Sequence, residues 1–362
     1  MNILVLIPAR QNVACSIFDS DNGLKRIFAG SFKLDELDSH SSGISRIFAR
    51  IKSSNRHCSD TDSSLLIAIR TVFGGSMFSE PVIIDENKVE QLKKLISGAP
   101  LHIPGLIHLI ENCNKIFPKT PKLLFSETAF FTNLPEREHL YALDEKLIGG
   151  SRLRRFGMHG LFHEEACGSI TGNTENTALR LKIISICLND NPEIAAAIGL
   201  RPVMTTGSSS YLEDLPGRTT CGAIDPAIIL ALSEKYSWGP DKINSVLTKD
   251  SGIFGLTGEN ISLQDLFHTD KEGYLLAQNL IKYHILQACG AAAAAMGGVD
   301  AIIFSGIYND IGKILGPWIK SHLLCQNPVA QDNIMVHICS EPLDLIIAKK
   351  ALSQSAVETS AV

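Results

Sequence analysis

Apolar runs alternate along this chain with segments whose apolar positions recur every three or four residues. The runs ILVLI (3–7), CSIFDS (15–20), KRIFAGSF (25–32), LLIAIR (65–70), KLLFS (122–126), KIISICL (182–188), AIIFSG (301–306) and IMVHIC (334–339) read as strands. In ENKVEQLKKLISG (86–98), Val89, Leu92, Leu95 and Ile96 share one helical face, and Gly98 is placed as a C-cap. Leu106, Leu109, Ile110 and Cys113 do the same for 106–116. A helix over 226–237 starts at Pro226, and 270–296 reads as one long helix. Strands come first and then alternate with helices, which predicts an α/β chain with mixed sheets. No short-period repeat is visible, and the small polar residues of 353–362 predict a frayed tail over 357–362.

With 362 residues, 45% of them hydrophobic, the chain exceeds the size at which one core stops growing, so two domains are expected. Net charge is −5 and no Lys/Arg run carries interleaved aromatics, so nucleic acid is not an expected partner. The nine cysteines (15, 58, 113, 167, 187, 221, 289, 325, 339) are odd in number and form no CxxC spacing. That pattern points to reduced thiols in a cytoplasmic protein, most of them small buried apolar residues. MNILVLI has no basic leader and reads as a first strand. The stretch ILQACGAAAAAMGGVDAIIF is broken by glycines and an aspartate, so a helix running into a strand is expected there and no membrane span.

The densest candidate chemistry lies in RRFGMHGLFH (154–163), two arginines followed by His159 and His163 four apart among glycines. Histidines at i and i+4 can share a cation, and arginine forks and imidazoles also suit oxyanions. A surface loop where basic residues collect is the plain alternative.

Six segments in order resemble the acetate/propionate (short-chain acyl) kinases: GAPLHIPGL (98–106), FSETAFFTNLP (125–135) with YALDEKL (141–147), RRFGMHGLFH, TTCGAIDPAII (219–229), LTKDSGIFGLTG (247–258) and DAIIFSGIYND (300–310). The resemblance covers nearly the whole chain. It implies the two-domain, duplicated actin/hexokinase-like (ASKHA) fold with an interdomain cleft. The first domain is expected over 1–131 plus 343–356 and the second over 132–342, with a homodimer formed through the second. The implied activity is ATP-dependent phosphoryl transfer to a short-chain carboxylate, giving an acyl phosphate, with ATP and Mg²⁺ required.

Residue by residue, the resemblance makes Arg70 a substrate-binding arginine, His102 a cleft histidine and His159 the histidine facing the phosphoryl group in transit. His163 is then structural. Glu127 replaces an aspartate and carries one extra methylene, a shift of roughly an ångström that can cost about a hundredfold in rate. Asp310 falls where a magnesium-binding glutamate is expected, or Asn309 if one residue is gapped.

Elsewhere the family pattern is lost. Ile7 and Ala9 replace the asparagine and glycine after the first strand, and CLNDNPE (187–193) replaces a glycine-rich phosphate loop. There Asn189 and Asn191 stand for glycines and Asp190 for an asparagine. Asp190 and Glu193 place carboxylates where a polyphosphate is expected, a repulsive arrangement unless a cation intervenes. Thr220 replaces an arginine, and Arg218 lies two residues earlier. Ser262 and Gln264 replace an aspartate and an arginine at the adenine segment, and Asp344 is what remains of a C-terminal acidic cluster. The nucleotide-binding candidates are therefore Asp190, Asn191, Ser262 and Gln264. These losses predict weak or absent turnover; a non-catalytic member keeping fold and dimer, or a site repurposed for another anion, are the other readings.

Overall fold

A computed structural model of the chain describes residues 1–9, 11–34, 65–144, 146, 153–171, 180–208, 210, 212–323 and 333–360. Glu145 and Leu147 of the 141–147 motif, Cys58 and Cys325 lie outside the described residues. The chain divides into two compact units, Met1–Thr132 with Pro342–Val362, and Asn133–Glu341.

The sheet of the first unit has the order β3-β2-β1-β4-β6-β5. Its strands are β1 (Asn2–Pro8), β2 (Asn12–Asp19), β3 (Lys25–Lys33), β4 (Leu65–Thr71), β5 (Val82–Ile83) and β6 (Lys122–Ser126). β1, β2 and β3 form an antiparallel meander; β4 runs parallel to β1, and β6 parallel to β4. Ile3, Leu4, Val5 and Leu6 are completely buried, as a central strand flanked on both edges requires. Helix α1 (Glu86–Lys93) starts at Asp85, whose side chain accepts from Lys88 N at 2.7 Å. Helix α2 spans Ile103–Ile116 with Pro104 in its first turn.

The second unit builds β11-β10-β7-β8-β9 from β7 (Lys182–Cys187), β8 (Glu193–Ile198), β9 (Arg201–Thr205), β10 (Ala301–Ser305) and β11 (Met335–Ile338). β7, β8 and β9 again form an antiparallel meander, while β10 runs parallel to both β7 and β11. The pairings of β3-β2-β1-β4-β6 and of β9-β8-β7-β10-β11 are therefore the same, so one supersecondary plan occurs twice. Helix α3 (Gly160–Thr171) packs on β7 and β10. Helix α4 spans Pro226–Tyr236, and the short α5 spans Leu263–Phe267. The long α6 (Leu275–Met296) covers β8 and packs beside α7 (Gly312–Leu323). Ile184, Ile186, Ile302 and Phe304 point into the core shared with α6, and Ser185 points to the α3 side, so the two helices flank opposite faces. The chain then returns to the first unit as α8 (Leu343–Ser360), which packs on β1, β4 and β2 and buries Ile346, Ile347, Ala348 and Ala351.

Several boundaries differ from the sequence expectations. Helix α1 stops at Lys93 and continues as turns to Gly98, and α6 is preceded by a 3₁₀ turn at Glu272–Tyr274. Helix α8 runs through Ser360, four residues into the tail expected to fray. Strands β5, β8 and β9 had no clear signal. EIAAAI (193–198) is alanine-rich, and burial between two neighbours makes it a strand despite weak propensity. Pro202 is tolerated because β9 is an edge strand. The described cysteines form no disulfide with one another, and burial pushes the thiols of Cys113 and Cys167 up to about 12. No described helix is long and apolar enough to cross a membrane.

Candidate functional site

In the first unit, parallel pairing sets the ends of β4 and β6 side by side, with Arg70 opposite Phe125 and Thr71 opposite Ser126. Glu127 is the next residue; it is fully buried and its N–H donates to Thr71 O at 3.0 Å. Its carboxylate Oε1 accepts from Arg70 Nε at 2.8 Å. Glu127 thus holds the guanidinium and fixes the fork's direction. Beside this pair, Thr128 Oγ1 shares a hydrogen bond with Ser126 Oγ at 2.9 Å and accepts from Gly74 N at 3.1 Å. A Cβ on Gly74 would lie 2.3 Å from Ser126 Oγ, so only glycine lets the 73–75 turn approach this closely. His102 is the residue before α2; it is half-buried, and its side chain makes no capping bond to the helix.

In the second unit, His159 sits at the entry of α3 and is 7% exposed. The buried Glu193, at the start of β8, accepts from Met158 N at 2.8 Å and His159 N at 3.0 Å through Oε2, and from Thr205 Oγ1 at 2.9 Å through Oε1. It is an anchor for the α3 entry, favoured there by the helix dipole. The carboxylate expected beside the phosphate loop is thus tied to the α3 entry and to Thr205. The imidazole Nε2 of His159 meets Asn191 O at 3.0 Å; a carbonyl only accepts, so Nε2 carries the proton. Asn189 Nδ2 donates to His159 Nδ1 at 3.4 Å. His163 is fully buried with Nδ1 2.8 Å from Ser185 Oγ, and burial pulls it down to about 3, which keeps it neutral and structural.

The β7–β8 loop is stitched to three neighbouring segments. Asp190 Oδ2 lies 3.1 Å from Arg218 Nη2, and Tyr308 OH donates to Asp190 Oδ1 at 2.9 Å. Thr220 Oγ1 donates to Asn191 Oδ1 at 2.8 Å, and Ile307 N to Asn189 Oδ1 at 2.9 Å. Burial and the Asp190 hydrogen bond push the Tyr308 phenol up to about 12. A cation therefore does intervene at Asp190, namely Arg218.

The remaining predicted positions are not drawn into this loop by the contacts they make. Ser262 is the N-cap of α5, forming a capping box with Asp265, and Gln264 is an exposed α5 residue whose carbonyl accepts from His268 N. Ser262 thus has a role as a helix cap. Asp310 is exposed and pairs with Lys313 at 2.6 Å, which holds its carboxyl below the usual range. Asn309 Nδ2 donates to Gly306 O at 2.7 Å. Among the described residues no three His, Cys, Asp or Glu side chains gather to hold a metal ion, so they do not fit a protein-only Mg²⁺ cage.

A second polar cluster went unread in the sequence. Arg155 pairs with Glu213 and lies 3.8 Å from Glu138, and Tyr141 also donates to Glu213. Glu138, Arg155, Glu213 and Asp214 line a cavity of about 590 Å³. Burial pushes the Asp214 carboxyl up to about 7. Tyr308 was missed as well, and so were the partners of Asn189 and Glu193; only tertiary contacts across many residues reveal them.

A family model described as the Acetokinase family matches residues 13–314. Acetate kinase of Clostridium beijerinckii is 32% identical over 251 residues, covering 68% of this chain and 63% of that protein. Acetate kinase of Alkaliphilus metalliredigens is 34% identical over 247 residues, covering 67% of this chain and 62% of that protein. The match thus spans less than two thirds of these relatives' own length. Among solved structures, a propionate kinase from Francisella tularensis aligns with TM-score 0.80 at 22% identity over 96% of this chain and 98% of its own. Acetate kinase of Porphyromonas gingivalis aligns with TM-score 0.83 at 20% identity, over 97% and 99% respectively. These likenesses show the duplicated two-domain ASKHA-type fold.

Proposed function

This chain belongs to the acetokinase family, and we propose that it transfers the γ-phosphoryl group of ATP to a short-chain carboxylate, more slowly than a site with an open phosphate loop would. In that reaction a carboxylate oxygen forms the new bond to phosphorus, the bond to the ADP oxygen breaks, and an acyl phosphate leaves. The transition state spreads charge over equatorial oxygens, so positioned donors do most of the work. His159 carries the reading, since it is fixed at the entry of α3 by Glu193 with a protonated Nε2 directed at the β7–β8 loop. Arg70, oriented by Glu127, is the candidate clamp for acyl or phosphoryl oxygens. His102 is a further candidate donor. Mg²⁺, when bound with nucleotide, would neutralise phosphate charge.

The slow rate follows from engagement of those groups. His159 Nε2 already donates to Asn191 O, and Arg70 is already paired. The His159 contact must exchange for substrate before it stabilises a transition state, whereas the Arg70–Glu127 bond orients the guanidinium.

A non-catalytic binding role is the second reading. It is favoured by Ile7, an apolar β1 side chain where the family pattern calls for an amide. The two readings separate on incubation with Mg-ATP and acetate, propionate or butyrate, trapping product with hydroxylamine. Hydroxamate that disappears in His159→Ala establishes the kinase; none from folded protein with any acid leaves the binding role.

A homodimer through the second unit and a cytoplasmic location belong to the same proposal. In support, α4 buries none of its residues, and Leu230 is 70%, Leu276 67% and Tyr283 58% exposed. Described cysteines that are mostly buried and form no disulfide with one another fit a reducing compartment.

A further inference from the structure

We propose that Arg218 is a phosphate-binding residue of this site and that Asp190 occupies its guanidinium when no polyphosphate is bound. The inference rests on the nucleotide reading above and specifies one residue of it.

The backbone of Arg218 is clamped. Its N–H donates to Asp190 O at 2.6 Å, and its carbonyl accepts from Phe254 N at 2.9 Å. The preceding Gly217 has no room for a Cβ, which would lie 2.5 Å from Thr220 Oγ1, 2.6 Å from Asn191 Oδ1 and 2.6 Å from Asp190 O. Arg218 is therefore held against the β7–β8 loop whatever its side chain contacts.

The side chain is only partly satisfied. One donor, Nη2, reaches one oxygen of Asp190 at 3.1 Å. Nε is buried and has no hydrogen-bond partner. A guanidinium presents its donors as a fork, and an orphaned buried N–H is costly. Asp190 supplies a single acceptor to a group built for two or more. A phosphate offers three oxygens and can take the whole fork, with Tyr308 OH released from Asp190 as a neighbouring donor.

Displacement is feasible because both partners reach water. The Arg218 and Asp190 side chains are 37% and 42% exposed, and exposed ion pairs contribute little. Asp190 can turn outward while its carbonyl keeps the bond to Arg218 N. A carboxylate on the loop then marks the anion's seat and also competes for it.

Isothermal titration of the full chain with inorganic pyrophosphate tests this. Asp190→Asn removes the competing charge while keeping shape, and binding should tighten about tenfold. Arg218→Gln should weaken binding about tenfold relative to the unmodified chain, and the double variant should lose the gain. Asp190→Ser, which also removes the competing charge, should tighten binding likewise and serves if Asp190→Asn does not fold. Pyrophosphate binding that is indifferent to Arg218→Gln, or a gain that survives in the double variant, overturns the role of Arg218 and leaves the nucleotide reading intact. No binding by the unmodified chain or any folded variant overturns both.

Discussion

Glu193 illustrates how one buried carboxylate can set the geometry of a candidate site from outside it. It accepts two backbone N–H groups at the α3 entry and one hydroxyl on the opposite side. Glu193→Gln replaces a charged acceptor by a neutral one with donors facing donors, which should cost about 2–3 kcal/mol of stability by urea unfolding. Asp214 gives a pH prediction. Its folded value of about 7 lies above the ordinary aspartate value near 3.8, so the folded state binds the extra proton between those limits. Its contribution is complete below about 4 and is lost as pH rises through 7, so Asp214→Asn should flatten that decline in unfolding midpoints. His163 acts with opposite sign: lowered from 6.5 to about 3, it loses stability as pH falls through that window. Some of this was legible. The Ser262–Asp265 capping box is written in its three-residue spacing, whereas Asp190–Arg218 and Glu193–His159 join residues far apart in sequence and carry no local signal.

Among the elements, long apolar strands and periodic helices followed directly from sequence pattern, since burial on both faces leaves continuous runs such as LLIAIR. Strand β8 did not, because alanines spell helix locally and the sheet overrides them. Helix α4 depends heavily on its own ends, as it buries no residue. Asp225 caps it by accepting from Ala227 N at 2.9 Å. Asp225→Ala should destabilise it by about 1 kcal/mol, read as faster amide hydrogen exchange across 226–236. Gly217→Ala strikes the loop itself: a methyl within 2.6 Å of three loop and neighbour oxygens must push 188–192 away. The expected loss is about 1–3 kcal/mol, and hydroxamate formation should fall with it.

For the whole molecule, the family resemblance carried the two-domain plan, and the repeated order of the two sheets shows it. The proposed dimer is testable at this scale. Leu230→Lys with Leu276→Lys should convert it to a folded monomer in sedimentation velocity; a dimer that persists would place the interface elsewhere. The first unit is split along the chain, with α8 arriving from beyond the second. On the ribosome, β1 and β4 are therefore made long before the helix that covers them. At roughly 5–20 residues per second that face waits tens of seconds, exposed, while the uninterrupted second unit can already fold. Nascent chains halted before residue 343 should hold a protease-resistant second unit beside a first unit open to chaperone capture.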